Sequence, residues 1–562
     1  MKIELFLFTI GLILDNLTAT SGQDNSSGDD DAIIIDWVDV FSLLVQTPTG
    51  PILGIITQVL AIPVQTFLGI PYARPPVGNL RFAKPVPMNP WTKTYNASSM
   101  PPACIQYTTY PYPWYDNSPN KSEDCLYLNI WAPIDASPGS NKSVMFLIHG
   151  GESFGSNRMD LYDGRALAGL GDVIVVSPNY RLSLFGFLTS GTRDLPGNYG
   201  IWDLLLALKW VRKNIEFFGG NPNQITLHGQ SSGSLIISML CLSPLTKGLF
   251  SKAIMVSGSV VYMQVNTAIY NAQFSQRLAR AVGCATNDRS IQSDTDSVIS
   301  CLRRKDAFYL ARVLYTFDPA SELHFMPLYG DELFPNPPIE DLQNGRFQQI
   351  PILIGHNRNE GVTEITSLPD TFGFFGDNNP MVNKTFAKYL IQYSFVGYKC
   401  SIDAVADYYF NNVGETDYFN IRQQLYLAYG DITLACPTDY FAECYAKKNN
   451  TVFFFLFSHR PTVSPWAPWI GTTHYDETQF VFGQPIRNQS QYSIHEFDLS
   501  MKMIEFWTNF AKYGNPITLF QWPKYSSENR SLIILDSGIN PIRKGTNPSK
   551  KSCDFLRSCF TF

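Results

Sequence analysis

The chain has 562 residues, of which 45% are hydrophobic, 14% aromatic and 16% charged, a composition that supplies a large buried core and excludes a disordered polymer. Its 42 basic and 48 acidic residues leave a formal charge of −6, and no run of Lys or Arg is dense enough to track a phosphate backbone, which argues against nucleic-acid binding. Ten cysteines are many for a reducing cytosol and suit an oxidising compartment.

The N-terminus reads Met1-Lys2-Ile3-Glu4, then an apolar run from Leu5 to Leu14, then Asp15 and the small residues Ala19, Thr20, Ser21 and Gly22. Too short to span a bilayer, this predicts a secretory signal peptide over residues 1–22, with a polar, acidic leader over 23–44. Asn-x-Ser/Thr acceptors at Asn96, Asn120, Asn141, Asn383, Asn449, Asn488 and Asn529 point to the same route. Beyond the leader the sequence has no repeat with a period of 20 to 50 residues, no long low-complexity linker and no second apolar stretch of transmembrane length. It ends at Phe562, soon after a strand-like run at 531–536, so a secreted product without stalk, transmembrane segment or lipid tail is expected.

Short β-branched and aromatic runs at residues 144–148, 173–176, 224–227, 254–256, 351–354 and 451–457 predict strands. They are almost continuously apolar, as strands buried on both faces are. Between them, residues 204–215 (LLLALKWVRKNI), 235–242 and 501–513 predict helices with one apolar face. The alternation implies an α/β fold with a large, mostly parallel central sheet covered by helices on both faces.

On such a sheet, acyl transfer needs a serine lifted from a tight strand-to-helix turn, with glycines on either side to permit the strained backbone. Two segments carry the Gly-x-Ser-x-Gly spacing: Gly151-Glu152-Ser153-Phe154-Gly155 and Gly229-Gln230-Ser231-Ser232-Gly233. Only Ser231 has a strand directly before it and an apolar helical run directly after it. Ser153 follows His149-Gly150-Gly151 behind a strand, the pattern of a loop that offers backbone N–H groups to an oxyanion. Of seven histidines, His149 and His228 abut glycine turns and His459 ends a strand, which suits structural imidazoles. His474 lies in a late polar loop, where the chain order Ser, acid, His puts the base. Glu360, just past the strand at 351–354, fits the acid's place, although on spacing alone a solvated loop glutamate is the favoured reading there.

Taken with the segments FLGIPYARPPVGNLRF from Phe67, SEDCLYLNIWAP from Ser122, NYRLSLFGFL from Asn179, GNYGIWDLLLALKWVRKNIEFFGGNPNQITLHGQSSG from Gly197, GHNRNEG from Gly355 and GTTHYDETQFVFG from Gly471, residues 45 to 555 resemble the type-B carboxylesterase and cholinesterase family of α/β-hydrolases. The resemblance implies a single domain over 45–562 with Ser231 as nucleophile, His474 as base and Glu360 as acid. It implies an oxyanion hole from the N–H groups of Gly150, Gly151 and Ser232, hydrolysis of a small-molecule carboxylic ester through an acyl-enzyme, and no metal or organic cofactor. It implies the disulfides Cys104–Cys125, Cys284–Cys301 and Cys436–Cys553. Of the remaining cysteines, Cys400 and Cys444 are a candidate bridge, and Cys559 is a candidate link between two chains of a homodimer. Activity is expected to fall below about pH 6 as the base protonates.

Substrate residues implied by the same matching are Trp114, on the loop closed by Cys104 and Cys125, and Leu323 and Phe325 in the acyl-pocket region. Two departures stand out: Gln230 replaces the family's usual glutamate before the nucleophile, and Glu152 interrupts its glycine-rich oxyanion loop. Val362, Thr363 and Glu364 follow Gly361 where an aromatic residue is usual, and no aromatic pair precedes Phe325. A broad carboxylesterase is therefore the favoured reading. A cholinesterase proper, and a cholinesterase-like adhesion protein with weak or no catalysis, are the alternatives.

Overall fold

A computed structural model of the protein describes residues 43–108, 120–151, 154–263, 267–317, 325–362, 365, 381–395, 397–516 and 521–560. The strands, in chain order, are β1 Leu43–Thr47, β2 Gly50–Val59, β3 Ile62–Pro71, β4 Tyr95–Asn96, β5 Ala103–Cys104, β6 Lys121–Ser122, β7 Tyr127–Pro133 and β8 Lys142–Ile148. They continue with β9 Ile174–Pro178, β10 Gly220–Gln230, β11 Lys252–Val256, β12 Ile352–Asn357, β13 Val452–Phe457, β14 Ser531–Leu535 and β15 Ile542–Thr546. Among the described residues, one sheet of 13 strands runs in the order β1-β2-β3-β7-β9-β8-β10-β11-β12-β13-β14-β15, with β4 beside β2. The pairings from β9 through β8 to β14 are parallel. Those outside that block, along the path to β1 and to β15, are antiparallel.

The period-two alternation of a strand divides its side chains between two cores. On β8, Phe146 and Ile148 enter the cluster on one face, and Met145 and Leu147 enter the cluster on the other. Likewise Phe454 and Leu456 of β13 face one way and Phe453, Phe455 and Phe457 the other. Both faces are dry, so these strands are apolar throughout. The helices Tyr199–Asn214 and Ser232–Leu242 pack on the first face. The helix Ile494–Tyr513 packs on the second. This helix starts well before the expected 501 because Ser493 and Glu496 form a reciprocal capping box at its N-terminus. Among the described residues, no helix is long and apolar enough to cross a membrane.

Four disulfides are present among the described residues: Cys104–Cys125, Cys284–Cys301, Cys436–Cys553 and Cys400–Cys559. The last corrects the expectations for Cys400, Cys444 and Cys559. Cys559 sits in the buried turn Arg557–Phe560, with its Cα 4.6 Å from that of Cys400. It is thereby committed within the chain rather than across a dimer. Cys444 stays a thiol on the helix Cys436–Lys447, and Cys241 is a buried thiol pushed up to about 12 by burial.

The Cys400–Cys559 bridge spans 159 residues of chain, and closing so long a loop removes much conformational entropy from the unfolded state. Cys559→Ser should cost about 2–5 kcal/mol of stability and lower the unfolding midpoint. A non-reducing peptide map should recover residues 400 and 559 in one fragment. Recovery of 400 with 444, or of an interchain link through 559, would refute the pairing.

Candidate active site

Strand β10 ends at Gln230, and the helix Ser232–Leu242 begins two residues later, so Ser231 is the whole of the turn between them. Its backbone stands at φ 57°, ψ −125°, a conformation that costs an L-residue on the order of 1–3 kcal/mol. The surroundings hold it there: the Ser231 N–H donates to Val256 O at 2.8 Å, and its carbonyl receives the Leu235 N–H at 2.9 Å. The flanking glycines are required by approach distance. A Cβ on Gly229 would lie 2.6 Å from the Gly233 carbonyl carbon, and one on Gly233 would collide with Ile148 O.

Glu360 lies just beyond the end of β12 and is 2% exposed. Its Oε1 accepts from Ser257 Oγ at 2.5 Å and from the Asn357 N–H at 2.6 Å, while Oε2 faces His474 Nδ1 at 2.6 Å. Burial pushes this carboxyl up, but the imidazole and the hydroxyl outweigh burial and hold it below the usual range. It is therefore a carboxylate at neutral pH. A carboxylate only accepts, so Nδ1 carries the proton and Nε2 presents a lone pair. Gln230 Nε2 lies 3.3 Å from His474 Nε2.

Two asparagines bring the loops that carry Glu360 and His474, residues 114 apart in sequence, into register. The Asn359 N–H donates to Thr472 O at 2.8 Å, and Asn359 Oδ1 receives the Thr472 N–H at 3.0 Å. Asn357 Nδ2 donates to Thr473 O at 2.7 Å. Behind His474, Asp476 and Glu477 are also buried, and burial pushes both carboxyls up, with Glu360 adding to the effect on Glu477.

The candidate oxyanion loop follows β8. His149 stacks on Tyr180 with centroids 4.5 Å apart, and Tyr180 Oη donates to His149 O at 2.8 Å. The Gly150 N–H donates to Tyr162 Oη at 3.2 Å. This corrects the expectation for Gly150, whose amide is engaged within the protein and supports the loop from behind. Gly151 and Ser232 are left as the candidate donors. Glu152, Ser153, Trp114 and Leu323 lie outside the described residues. Phe325 is buried in the core on the first face.

His459 also faces a glutamate and a serine, with Nε2 3.0 Å from Glu496 Oε1 and Nδ1 2.8 Å from Ser537 Oγ. The side-chain types match those around His474, but the electrostatics are wrong for acyl transfer. The Ser537 N–H is bound to Asp536 Oδ1 at 2.9 Å, so a carboxylate stands where an oxyanion would need donors. Ser257, Asn357, Asn359, Tyr162 and Tyr180 were not legible as site residues, because each acts through contacts made by the tertiary fold and carries no motif.

The sequence profile of the carboxylesterase family matches residues 42–556. The chain is 38% identical to Acetylcholinesterase-1 of Trittame loki over 512 residues, covering 88% of this chain and 90% of that protein. It is 35% identical to the Cholinesterase of Mus musculus over 538 residues (92% and 87%), and 34% identical to the Acetylcholinesterase of Bungarus fasciatus over 513 residues (88% and 83%).

Two pH effects follow from this geometry. Burial pushes His149 down to about 4 and His228 down to about 3, whereas in the unfolded chain both return to about 6.5. Between pH 6.5 and 4 the unfolded chain thus binds more protons, and the fold loses about 1.4 kcal/mol per pH unit for each histidine over the lower part of that window. The unfolding midpoint should fall steadily from pH 6.5 to 4.5; a flat profile would contradict the neutral, buried state of these rings. Second, Gln230→Glu places a carboxylate beside His474 Nε2, which stabilises the imidazolium. The acid limb of activity should move up by about one pH unit, and an unmoved limb would show that residue 230 does not face the base.

Proposed function

The chain belongs to the carboxylesterase family and is a carboxylic ester hydrolase, and from that premise we propose that it works by two-step acyl transfer through Ser231, His474 and Glu360. The supporting observation is a strained serine at a strand-to-helix turn together with a buried imidazole whose Nδ1 is 2.6 Å from a carboxylate. His474 Nε2 takes the Ser231 proton as Oγ bonds to the ester carbonyl carbon, and Glu360 holds the ring tautomer and offsets the positive charge. The N–H groups of Gly151 and Ser232 stabilise the oxyanion, and the alkoxide leaves with the proton held by His474. Water then repeats the attack on the acyl-enzyme, with His474 again as base, and a carboxylic acid departs.

For the acyl and alcohol groups we infer the tolerance of a broad carboxylesterase. Val362, an aliphatic side chain with 0% exposure, follows the acid loop where recognition of a quaternary ammonium would be served by an aromatic face. The alternative is a choline esterase, favoured by the names of the relatives. Secretion through a signal peptide at 1–22, ahead of a 23–44 leader and one domain, is supported by the four disulfides. The acceptor residues Asn96, Asn120, Asn141, Asn383, Asn449, Asn488 and Asn529 are all solvent-exposed, as attachment of a glycan requires.

The test is one preparation of secreted protein treated with a fluorophosphonate and mapped by mass spectrometry, with and without glycosidase digestion. The adduct should fall on Ser231 and vanish in His474→Ala, and Glu360→Gln should lower kcat by roughly 10³–10⁴-fold. A choline ester and its neutral isostere should differ in kcat/KM by less than about fivefold, since one cation–π contact is worth about 1–2 kcal/mol. A preference above about 30-fold would establish the choline-directed reading, and an adduct on another serine would overturn the assignment of Ser231.

A further inference from the structure

Gln106 stands two residues past Cys104 and is 4% exposed. Its side-chain amide is used on both sides. Nε2 donates to Gly155 O at 2.9 Å and to Cys104 O at 3.0 Å, and Oε1 receives the Gly155 N–H at 2.9 Å. The amide thus pairs with Gly155 at two points, as a neighbouring strand would, and fixes that residue in orientation as well as position.

Gly155 is where the oxyanion loop closes on itself. It sits at φ 110°, and a Cβ there would lie 2.5 Å from Gly150 O and 2.9 Å from His149 Nδ1. The Phe154 N–H donates to Gly151 O at 3.0 Å. The far end of the loop therefore rests on its near end, and a displacement of Gly155 is transmitted to Gly150 and Gly151. Oxyanion donors act only when held within a few tenths of an ångström of the developing charge.

We propose that Gln106 is a positioning residue for ester hydrolysis: its two-point grip on Gly155 sets the Gly151 amide and couples the oxyanion loop to the segment anchored by Cys104–Cys125. This rests on the acyl-transfer reading above. Gln106 touches no reacting atom, so its loss should slow the chemical step without removing the nucleophile, the base or substrate binding.

Gln106→Met keeps the side chain's length and removes all three hydrogen bonds. With rates expressed per fluorophosphonate-titrated site, kcat should fall about 10- to 100-fold, less than the 10²–10³ that follows deletion of an oxyanion donor, while KM stays within about threefold and the acid limb does not move. Gln106→Glu retains the acceptor for the Gly155 N–H and should lose less. Opening the bridge with Cys104→Ala and Cys125→Ala should lower kcat, and adding Gln106→Met should then cost less than it does alone. A purely structural role would reduce the number of titratable sites and leave kcat per site unchanged, which overturns the proposal. Wild-type protein without turnover would instead refute the acyl-transfer reading. In that case hydrogen exchange still decides the positioning claim: exchange in the peptide spanning residues 149–158 should rise in Gln106→Met, and unchanged exchange overturns it.

Discussion

A carboxylate with 2% exposure is tolerated only if its charge is met by donors, and at Glu360 this demand organises the centre of the molecule. Its donors come from three places: Ser257 just after β11, Asn357 at the end of β12, and His474 from a loop far along the chain. Because β11 and β12 are parallel neighbours, their C-terminal ends emerge side by side, and the carboxylate bridges them before it meets the imidazole. The same desolvation acts on Asp476 and Glu477, which lack an imidazole within hydrogen-bonding range and are pushed up instead. Of these buried acids, only the one that orients His474 is held below its usual range. Negative charge is thereby concentrated where an imidazolium would form.

The proposed nucleophile depends on the neighbouring strand end. Ser231 keeps its strained backbone because its N–H reaches Val256 O, the last residue of β11, so β11 supports both the elbow and, through Ser257, the acid. Gly258 extends this contact, since a Cβ there would lie 2.7 Å from Ser231 O. The strain is local, while its compensation is spread through a sheet buried on both faces, which is why such a conformation persists without fraying the helix behind it.

The sequence disclosed what is periodic or locally strained. Runs of apolar residues marked β8 to β13 and the elbow marked Ser231, whereas Glu360 stood out only through the family resemblance, since a loop glutamate past a strand carries no local signal of its own. The antiparallel flank was not visible, because strands such as β1 are only half buried and their alternation is short and interrupted by polar residues. The Asn359–Thr472 register was equally hidden, because a hydrogen bond between loops 113 residues apart leaves no trace in local pattern. Cys400–Cys559 was missed for the same reason. Sequence proximity made Cys444 look the nearer partner, whereas the fold brings the last helical turn back onto Cys400.

The array of Ser537, His459 and Glu496 shows why residue types alone do not define a site. Its glutamate receives Ser493 and Thr462 N–H and hydroxyl donors as well as His459, and these hold it down to about 2 although burial pushes it up. That carboxylate is committed to capping the helix Ile494–Tyr513, and Asp536 occupies the amide of the serine. Around His474 the carboxylate of Glu360 is confined to the Nδ1 side, the Nε2 side meets the neutral amide of Gln230, and Tyr180 holds the His149 carbonyl of the loop after β8. Among the described residues the two serines differ in what binds their amides: Asp536 takes the N–H of Ser537, whereas the N–H of Ser231 goes to the Val256 carbonyl, and a carboxylate beside the reacting serine opposes developing negative charge.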